Sequence, residues 1–187
     1  MNSKLRTLAL VALVAVGAFA GTAVAASNAS ISASPATPGE TSTHTATLTT
    51  GNDSTGSLNG FQVDYSETGV DASNVGTEDV VTVGIDEDDD AEGTTVDQDV
   101  SDDLSSVSSS NNGETVTFKF GGSYSLDAGD EVVVVFENVT NADAGEYEVT
   151  LDINPQSSGG DGTAMVTFED DSLLSTATPT ATEEPTD

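Results

Sequence analysis

Few residues of this chain have the chemistry that catalysis needs. Its 187 residues include one histidine, His44, and no cysteine, so the usual general bases and activated nucleophiles are nearly missing. The alternation in HTATLTT places His44 on the same face as Ala46 and Leu48, which predicts a core histidine. The sequence contains no G-x-S-x-G, P-loop or H-E-x-x-H motif. We therefore expect no enzymatic activity, no catalytic residue and no cofactor.

The densest acidic run, IDEDDDAEGTTVDQD, contains the candidate metal ligands. Asp86, Asp88 and Asp90 have the alternate spacing with which calcium loops begin. The sixth position is Ala91, where an EF-hand needs glycine, and the twelfth is Asp97, where it needs a bidentate glutamate. We interpret the run as a solvated loop, with weak calcium binding as the alternative, and we predict no metal site.

Three asparagines stand in N-x-S/T sequons and are the candidate sites of modification. These are Asn28, Asn52 and Asn138, each close to a predicted turn or strand end. If the chain is exported, all three are possible acceptors for N-glycosylation.

The N-terminus has the pattern of a secretory signal peptide. A basic start, MNSKLR, precedes the apolar run LALVALVAVGAFA, and the A-V-A that ends at Ala25 suits a signal peptidase. We expect residues 1–25 to be removed, which leaves an extracellular or cell-surface protein with no transmembrane anchor after cleavage.

The mature chain is strongly acidic. Losing Lys4 and Arg6 with the signal peptide leaves 33 acidic residues against Lys119 alone, a formal charge of −32. Such a chain lacks the clustered Lys and Arg that phosphates require, which argues against nucleic acid and anionic lipid as partners. Molar salt shortens the screening length to about 3 Å and removes most of the self-repulsion, so the composition favours a protein adapted to brine.

Beyond the signal peptide the hydrophobic period is two, and the sequence predicts strands and no convincing helix. Seven to nine short strands separated by turn residues indicate an all-β, antiparallel β-sandwich. We predict one domain over residues 26–174 and a Thr/Pro-rich disordered tail or stalk over 175–187. The predicted strands are near 28–33, 42–50, 58–66, 79–85, 114–120, 130–137, 145–153 and 162–169.

The segment EVVVVFE differs from the other predicted strands because both of its faces are apolar. Val132, Val134 and Phe136 share the core face, while Val133 and Val135 lie on the opposite face. This pattern predicts a central strand that is covered on its outer side. The second pair of valines is either exposed without a function or forms a contact surface for a further domain or copy.

The segment FENVTNADAGEYEVTLDI has the spacing of a tyrosine corner. In immunoglobulin-type sandwiches a tyrosine two residues before the second cysteine bonds the upstream backbone, and Tyr147 is the candidate here. Asp143 would support the turn by bonding its own backbone, and Gly145 by accepting a positive φ. Val149 stands where the cysteine would be.

These segments also carry a family resemblance. SPATPGETSTHTATLTTG, NGETVTFKF and LDAGDEVVVVFENVTNADAGEYEVTL resemble the cysteine-free Ig-like repeats of prokaryotic surface-layer and cell-surface proteins. The acidic, lysine-poor composition resembles that of secreted proteins of salt-loving archaea, and residues 175–187 resemble the stalks of haloarchaeal surface glycoproteins. The resemblance implies an extracellular structural or adhesin-like module without catalysis.

The sequence leaves three functional hypotheses. The first is a surface module whose partners are cell-envelope proteins or glycans. The second is a filament subunit that binds copies of itself, in which ASNASISAS, residues 26–34, adds a strand to a neighbour. The third is a weak calcium- or carbohydrate-binding module, for which the sequence shows no site.

Overall fold

The computed structural model describes residues 26–89 and 93–169. The predicted signal peptide, residues 1–25, and the predicted tail, residues 175–187, lie outside the described residues and stay predictions. Asp90 and Ala91 of the acidic run also lie outside them.

Within the described ranges the backbone forms twelve β-strands, four single 3₁₀ turns and no α-helix. Nine of the strands have five residues or more, in agreement with the seven to nine predicted. The strands are β1 (Ser27–Ser34), β2 (Thr41–Thr49), β3 (Gly56–Ser57), β4 (Gly60–Asp64), β5 (Val80–Asp86), β6 (Gln98–Asp99), β7 (Leu104–Ser110), β8 (Thr115–Phe120), β9 (Ser125–Leu126), β10 (Glu131–Thr140), β11 (Gly145–Ile153) and β12 (Asp161–Phe168). The 3₁₀ turns are Thr77–Asp79, Glu87–Asp89, Ser101–Asp103 and Asn111–Gly113.

One long strand, β7, was not predicted. Its sequence, LSSVSSS, is mostly serine, which has no marked preference for strands. Antiparallel pairing with β8, which sets Val107 opposite Phe118, makes this segment a strand. Tertiary pairing therefore outweighs local preference here.

The strands form two five-stranded antiparallel sheets packed as a sandwich. The first sheet has the order β1-β2-β10-β5-β6, and the second has the order β12-β11-β4-β8-β7. The short strands β3 and β9 form a separate two-stranded ribbon. The chain thus has the predicted all-β, Ig-like antiparallel sandwich, with β10 in the centre of its sheet as EVVVVFE indicated.

Side-chain alternation fills the space between the sheets. Phe118 on β8 meets Phe136 on β10 across the interior, with ring centroids 5.2 Å apart. Phe61 on β4 lies next to Phe118 at 6.5 Å. All three rings are fully buried. Burying such a side chain contributes about 1.5–3 kcal/mol, so in a chain without disulfides the aromatic interior is a major source of stability.

The opposite face of β10 is covered. Val133 is completely buried and Val135 is 7% exposed, although neither belongs to the main core. Val133 lies between Thr47 on β2 and Gly84 on β5. A Cβ on Gly84 would lie 2.7 Å from the Cβ of Val96, so the later part of the acidic run packs over this part of the sheet. The outer side of β10 is thus covered, as the sequence indicated, and the two other expectations for the valines, harmless exposure and an open contact surface, are wrong.

His44 is a fully buried core residue, as predicted, and it joins the two sheets. It lies on β2 of the first sheet, and its Nδ1 is 2.7 Å from the hydroxyl of Tyr65, which directly follows β4 of the second sheet. Its Nε2 is 3.2 Å from Oδ1 of Asn141. A neutral ring satisfies both contacts when Nε2–H donates to Asn141 and Nδ1 accepts from Tyr65.

Asn141 extends this network to the loop between β1 and β2. Its Nδ2 donates to the carbonyl oxygens of Pro35 at 2.9 Å and Thr37 at 2.8 Å. Its Oδ1 also accepts from the hydroxyl of Ser42 at 2.6 Å. One buried amide thus ties the end of β10 to the first hairpin.

We predict that His44 makes the stability of the fold depend on pH. Burial lowers the pKa of His44 from 6.5 to about 4, and the hydrogen bond to Asn141 opposes this shift. The unfolded chain therefore binds the proton more tightly, so the contribution of His44 to stability falls by about 3 kcal/mol as the pH drops from 6.5 to 4. Chemical unfolding of wild type and His44→Gln at fixed salt should show a stability difference that changes over this range. Tyr65→Phe, which keeps the imidazole, is the control and should keep the pH dependence. A wild-type minus His44→Gln difference that is constant between pH 4 and 6.5 would contradict the assignment.

Candidate functional site

The tyrosine at the start of β11 makes a corner contact. The Tyr147 hydroxyl donates to the carbonyl oxygen of Asp143 at 3.2 Å. The ring is half-buried and packs against Phe168 of β12, with centroids 6.0 Å apart. The contact closes the turn between β10 and β11. Tyr147 also lines a surface depression, together with Glu146 and Glu148. A purely structural role for the corner stays a prediction.

The other two residues of the corner act differently from expectation. Gly145 does not have a positive φ. A Cβ at this position would instead lie 3.0 Å from the Tyr147 hydroxyl, so the glycine makes room for the ring. Asp143 contributes its backbone carbonyl, whereas its carboxylate makes no hydrogen bond among the described residues.

We predict that Tyr147→Phe lowers the free energy of unfolding by about 1 kcal/mol, because it removes one hydrogen bond and keeps the ring. Gly145→Ala should also destabilise the protein, because its methyl group would crowd the same hydroxyl. Urea unfolding measures both variants. A matched control is Tyr124→Phe, which removes a hydroxyl bonded to Asp102 at an exposed site away from the corner. Unchanged stability of Tyr147→Phe would remove the corner bond from the structural account.

The described part of the acidic run ends β5, continues into a 3₁₀ turn and returns in β6. Asp86 ends β5 and is 1% exposed, while Asp88 and Asp89 lie in a 3₁₀ turn with φ of 63° and 50°. Asp97 accepts a hydrogen bond from the backbone N–H of Glu87 at 3.0 Å, which closes the connection on itself. Asp86 thus belongs to β5, whereas Asp97 lies further along the connection and bonds the backbone of Glu87.

Two acids of this run, Asp86 and Asp89, lie close to a third acid from outside it, Glu131, which the sequence did not indicate. Ligand oxygens of Asp86, Asp89 and Glu131 all lie within 4.8 Å of one another. Glu131 begins β10 and pairs with Asp86 across the sheet, and the Thr49 hydroxyl donates to Asp89 at 3.2 Å. No spacing in the sequence links residues 86 and 131, because only the strand register places them together. A hard cation or a shared proton would relieve the repulsion among these oxygens.

The charged form of Glu131 is disfavoured in this cluster. Burial raises the pKa of Glu131, a hydrogen bond with Thr47 lowers it, and the negative charges of Asp89 and Asp86 raise it further. The folded state therefore holds the Glu131 proton more tightly than the unfolded state does. The contribution of Glu131 to stability falls as the pH rises through its folded pKa.

We predict that Glu131→Gln stabilises the protein at neutral pH, because it removes a partly buried charge beside two like charges. The melting temperature at pH 7.5, in chelator and fixed salt, should rise above that of wild type. Glu137→Gln, at an exposed position of the same strand, is the control and should change the melting temperature less. A lower melting temperature for Glu131→Gln would show that the carboxylate is stabilising in the folded state.

All three sequon asparagines are exposed. Asn28 and Asn138 lie at irregular positions of β1 and β10, with φ of 52° and 67°. Asn138 Nδ2 donates to the carbonyl oxygen of Asn74 at 3.1 Å. Asn52 lies in the turn after β2, where Ser54 is buried and bonded to Gly51. Glycosylation of these residues stays a prediction.

The N-terminal segment pairs within its own chain. β1 is antiparallel to β2, and Ala26 and Ile31 are buried, with 2% and 6% of their surface exposed. The strand that the filament hypothesis assigns to a neighbour therefore completes the sheet of its own chain.

Among residues 26–89 and 93–169, no helix has the length and apolar character needed to cross a membrane. No protein-family model matches the chain, and no curated protein matches it either.

Several solved structures have a similar fold. A bacterial hydrophobin, BslA, has a TM-score of 0.40 and 20% identity, over 76% of this chain and 98% of that chain. Domains D2 and D3 of the major pilin SpaD from Corynebacterium diphtheriae have a TM-score of 0.41 and 17% identity, over 74% of this chain and 50% of that chain. ACE19, the collagen-binding subdomain of the Enterococcus faecalis surface protein ACE, has a TM-score of 0.38 and 12% identity, over 75% of this chain and 94% of that chain. At these values the likeness concerns the fold alone, and no function is taken from it.

Proposed function

We propose that this chain is an exported, non-catalytic structural or adhesin-like module of a cell surface that works in concentrated salt. The proposal rests on where the acidic side chains lie: nearly all of the described ones are outside the apolar interior. Among the described acidic residues only Asp86 and Asp130 are buried, so the acidic side chains form a surface coat around an apolar sandwich. Such a surface repels itself in dilute buffer and is screened in brine.

The placement of the reactive residues supports a role without catalysis. His44 is enclosed in the core and both of its ring nitrogens are engaged, so it cannot exchange protons with a substrate. Tyr65 is fully buried and bonded to the same ring. The carboxylate cluster of Asp86, Asp89 and Glu131 carries no function by itself, because close acidic groups are expected on a chain this acidic.

Sequence features support export and contact with the cell envelope. The predicted signal peptide supports export, the three exposed sequons support a glycoprotein, and the composition supports an archaeal, halophilic source. The filament alternative is less favoured, because β1 would have to leave its own sheet and expose Ile31.

The proposal is tested by expressing the full chain in a halophilic archaeal host. Mass spectrometry of the envelope and medium fractions should find a mature N-terminus at Ala26. The purified protein should be a monodisperse monomer by size exclusion with light scattering in multimolar KCl. Unprocessed protein confined to the cytoplasm would overturn the surface assignment. Ordered multimers that disappear when residues 26–34 are deleted would establish the filament alternative instead.

A further inference from the structure

The one cation of the described chain, Lys119, has no acidic partner. It lies on β8 with its side chain exposed on the outer face of the second sheet. Within residues 26–89 and 93–169, no carboxylate forms an ion pair with its ammonium group. In a chain with 33 acidic residues, an unpaired lysine is an unusual surface feature.

Lys119 lines a surface depression of about 420 Å³ that is free of acidic residues. Its volume lies within the usual range for small-molecule pockets, about 300–1,000 Å³. Its lining includes Asn59, Thr117, Lys119, Pro155, Gln156 and Ser157. Two other depressions differ from it: one is lined by Asp79 and Glu137, and the other by four carboxylates, those of Asp64, Glu67, Glu146 and Glu148.

Hydrogen bonds hold one wall of the depression in place. The side-chain oxygen of Asn154 accepts from the backbone N–H groups of Asn59 at 2.7 Å and Gly60 at 3.1 Å. Its Nδ2 donates to the carbonyl oxygen of Ser57 at 3.0 Å. The backbone N–H of Ser157 donates to the carbonyl oxygen of Asn154 at 2.7 Å. The loop after β11 is thus tied to the start of β4, and the depression exists before any ligand binds.

The remaining polar groups of this wall are available to a ligand. The side chains of Gln156 and Ser157 are exposed and make no hydrogen bond among the described residues. Together with Lys119 they offer a cationic donor, an amide and a hydroxyl. Pro155 adds an apolar ring beside them.

We propose that this depression binds a sugar that carries a carboxylate, such as a uronic acid residue. The Lys119 ammonium pairs with the carboxylate, Gln156 and Ser157 hydrogen-bond the ring hydroxyls, and Pro155 packs against the C–H face of the sugar. The inference rests on the proposed surface function and names the partner class, an acidic glycan. It also supplies the site that the carbohydrate hypothesis lacked.

The charge of the whole protein does not prevent this binding in brine. The field of distant carboxylates is screened within about 3 Å at molar salt, whereas a direct contact between ammonium and carboxylate is screened less. Along the sheet, Asp152 pairs with Gln62, and Gln62 pairs with Thr117. Asp152 is therefore two strands away from Thr117, roughly 10 Å. Because one ion pair in salt is weak, the neutral contacts must supply much of the affinity, which favours a sugar over a small anion.

The test is an NMR titration of the ¹⁵N-labelled mature chain in 2 M KCl with three probes: methyl β-D-glucuronide, methyl β-D-glucoside and acetate. Saturable shifts of the backbone amides of residues 117–119, 154, 156 and 157 are expected with the glucuronide. The glucoside and acetate should each bind about tenfold more weakly or not at all. Lys119→Gln should weaken glucuronide binding by about tenfold, and Lys119→Arg should retain most of it. Ser110→Ala, an exposed residue of the same sheet face outside the depression, should bind as wild type does.

Other outcomes overturn the inference. Glucuronide binding that Lys119→Gln leaves unchanged, or equal binding of the neutral glucoside, would exclude a role for the cation. Equal binding of acetate would show a plain anion site, and no saturable shift would show no site. An exported protein without these shifts overturns this inference and leaves the proposed function in place. A protein that binds the glucuronide but stays unprocessed in the host cytoplasm overturns the proposed function alone.

Discussion

The contact of His44 with Tyr65 and Asn141 is the interaction on which the rest of the structure depends. It crosses from β2 of one sheet to the residue after β4 of the other, and Asn141 extends it to the first hairpin. A buried polar group without a partner costs about 1–3 kcal/mol, so each member holds the others in one arrangement. In a chain without disulfides, this network fixes how the two sheets sit over each other. It also removes the single histidine from any chemistry at the surface.

The charge distribution follows from the same division between core and surface. A partly buried carboxylate is less stable in its charged form, as Asp152 on β11 beside Asp161 on β12 shows. Burial first, and then repulsion from Asp161, raise the pKa of Asp152 from 3.8 to about 6. Its contribution to stability therefore falls as the pH rises from about 4 through 6, whereas that of His44 increases over the same range. The two groups oppose each other, which flattens the net response of the fold to acid.

Much of the fold could be predicted because alternation is a local signal. Val116, Phe118 and Phe120 share one face of β8 in the sequence and lie in the core in the structure. The serine-rich strand β7 carries almost no such signal, and its pairing with β8 decides its conformation. The role of Gly145 could not be predicted either, because it depends on where the Tyr147 ring lies and not on the backbone angle of a turn. Sequence spacing indicated Tyr147, whose hydroxyl contacts the Asp143 carbonyl oxygen, but it assigned the wrong roles to Asp143 and Gly145.

The sequence by itself determined the class of strand-forming segments, the apolar face of each strand, the acidic coat and the shortage of catalytic residues. These properties depend on composition and on a period of two, which each segment carries alone. Only the tertiary structure decided which distant residues meet. The register of β10 against β5 sets Glu131 beside Asp86, and the order of β11, β4 and β8 sets the loop after Ile153 beside Lys119. Alternation leaves strand order and register open, because many pairings bury the same faces, and the packing of the whole core selects one of them.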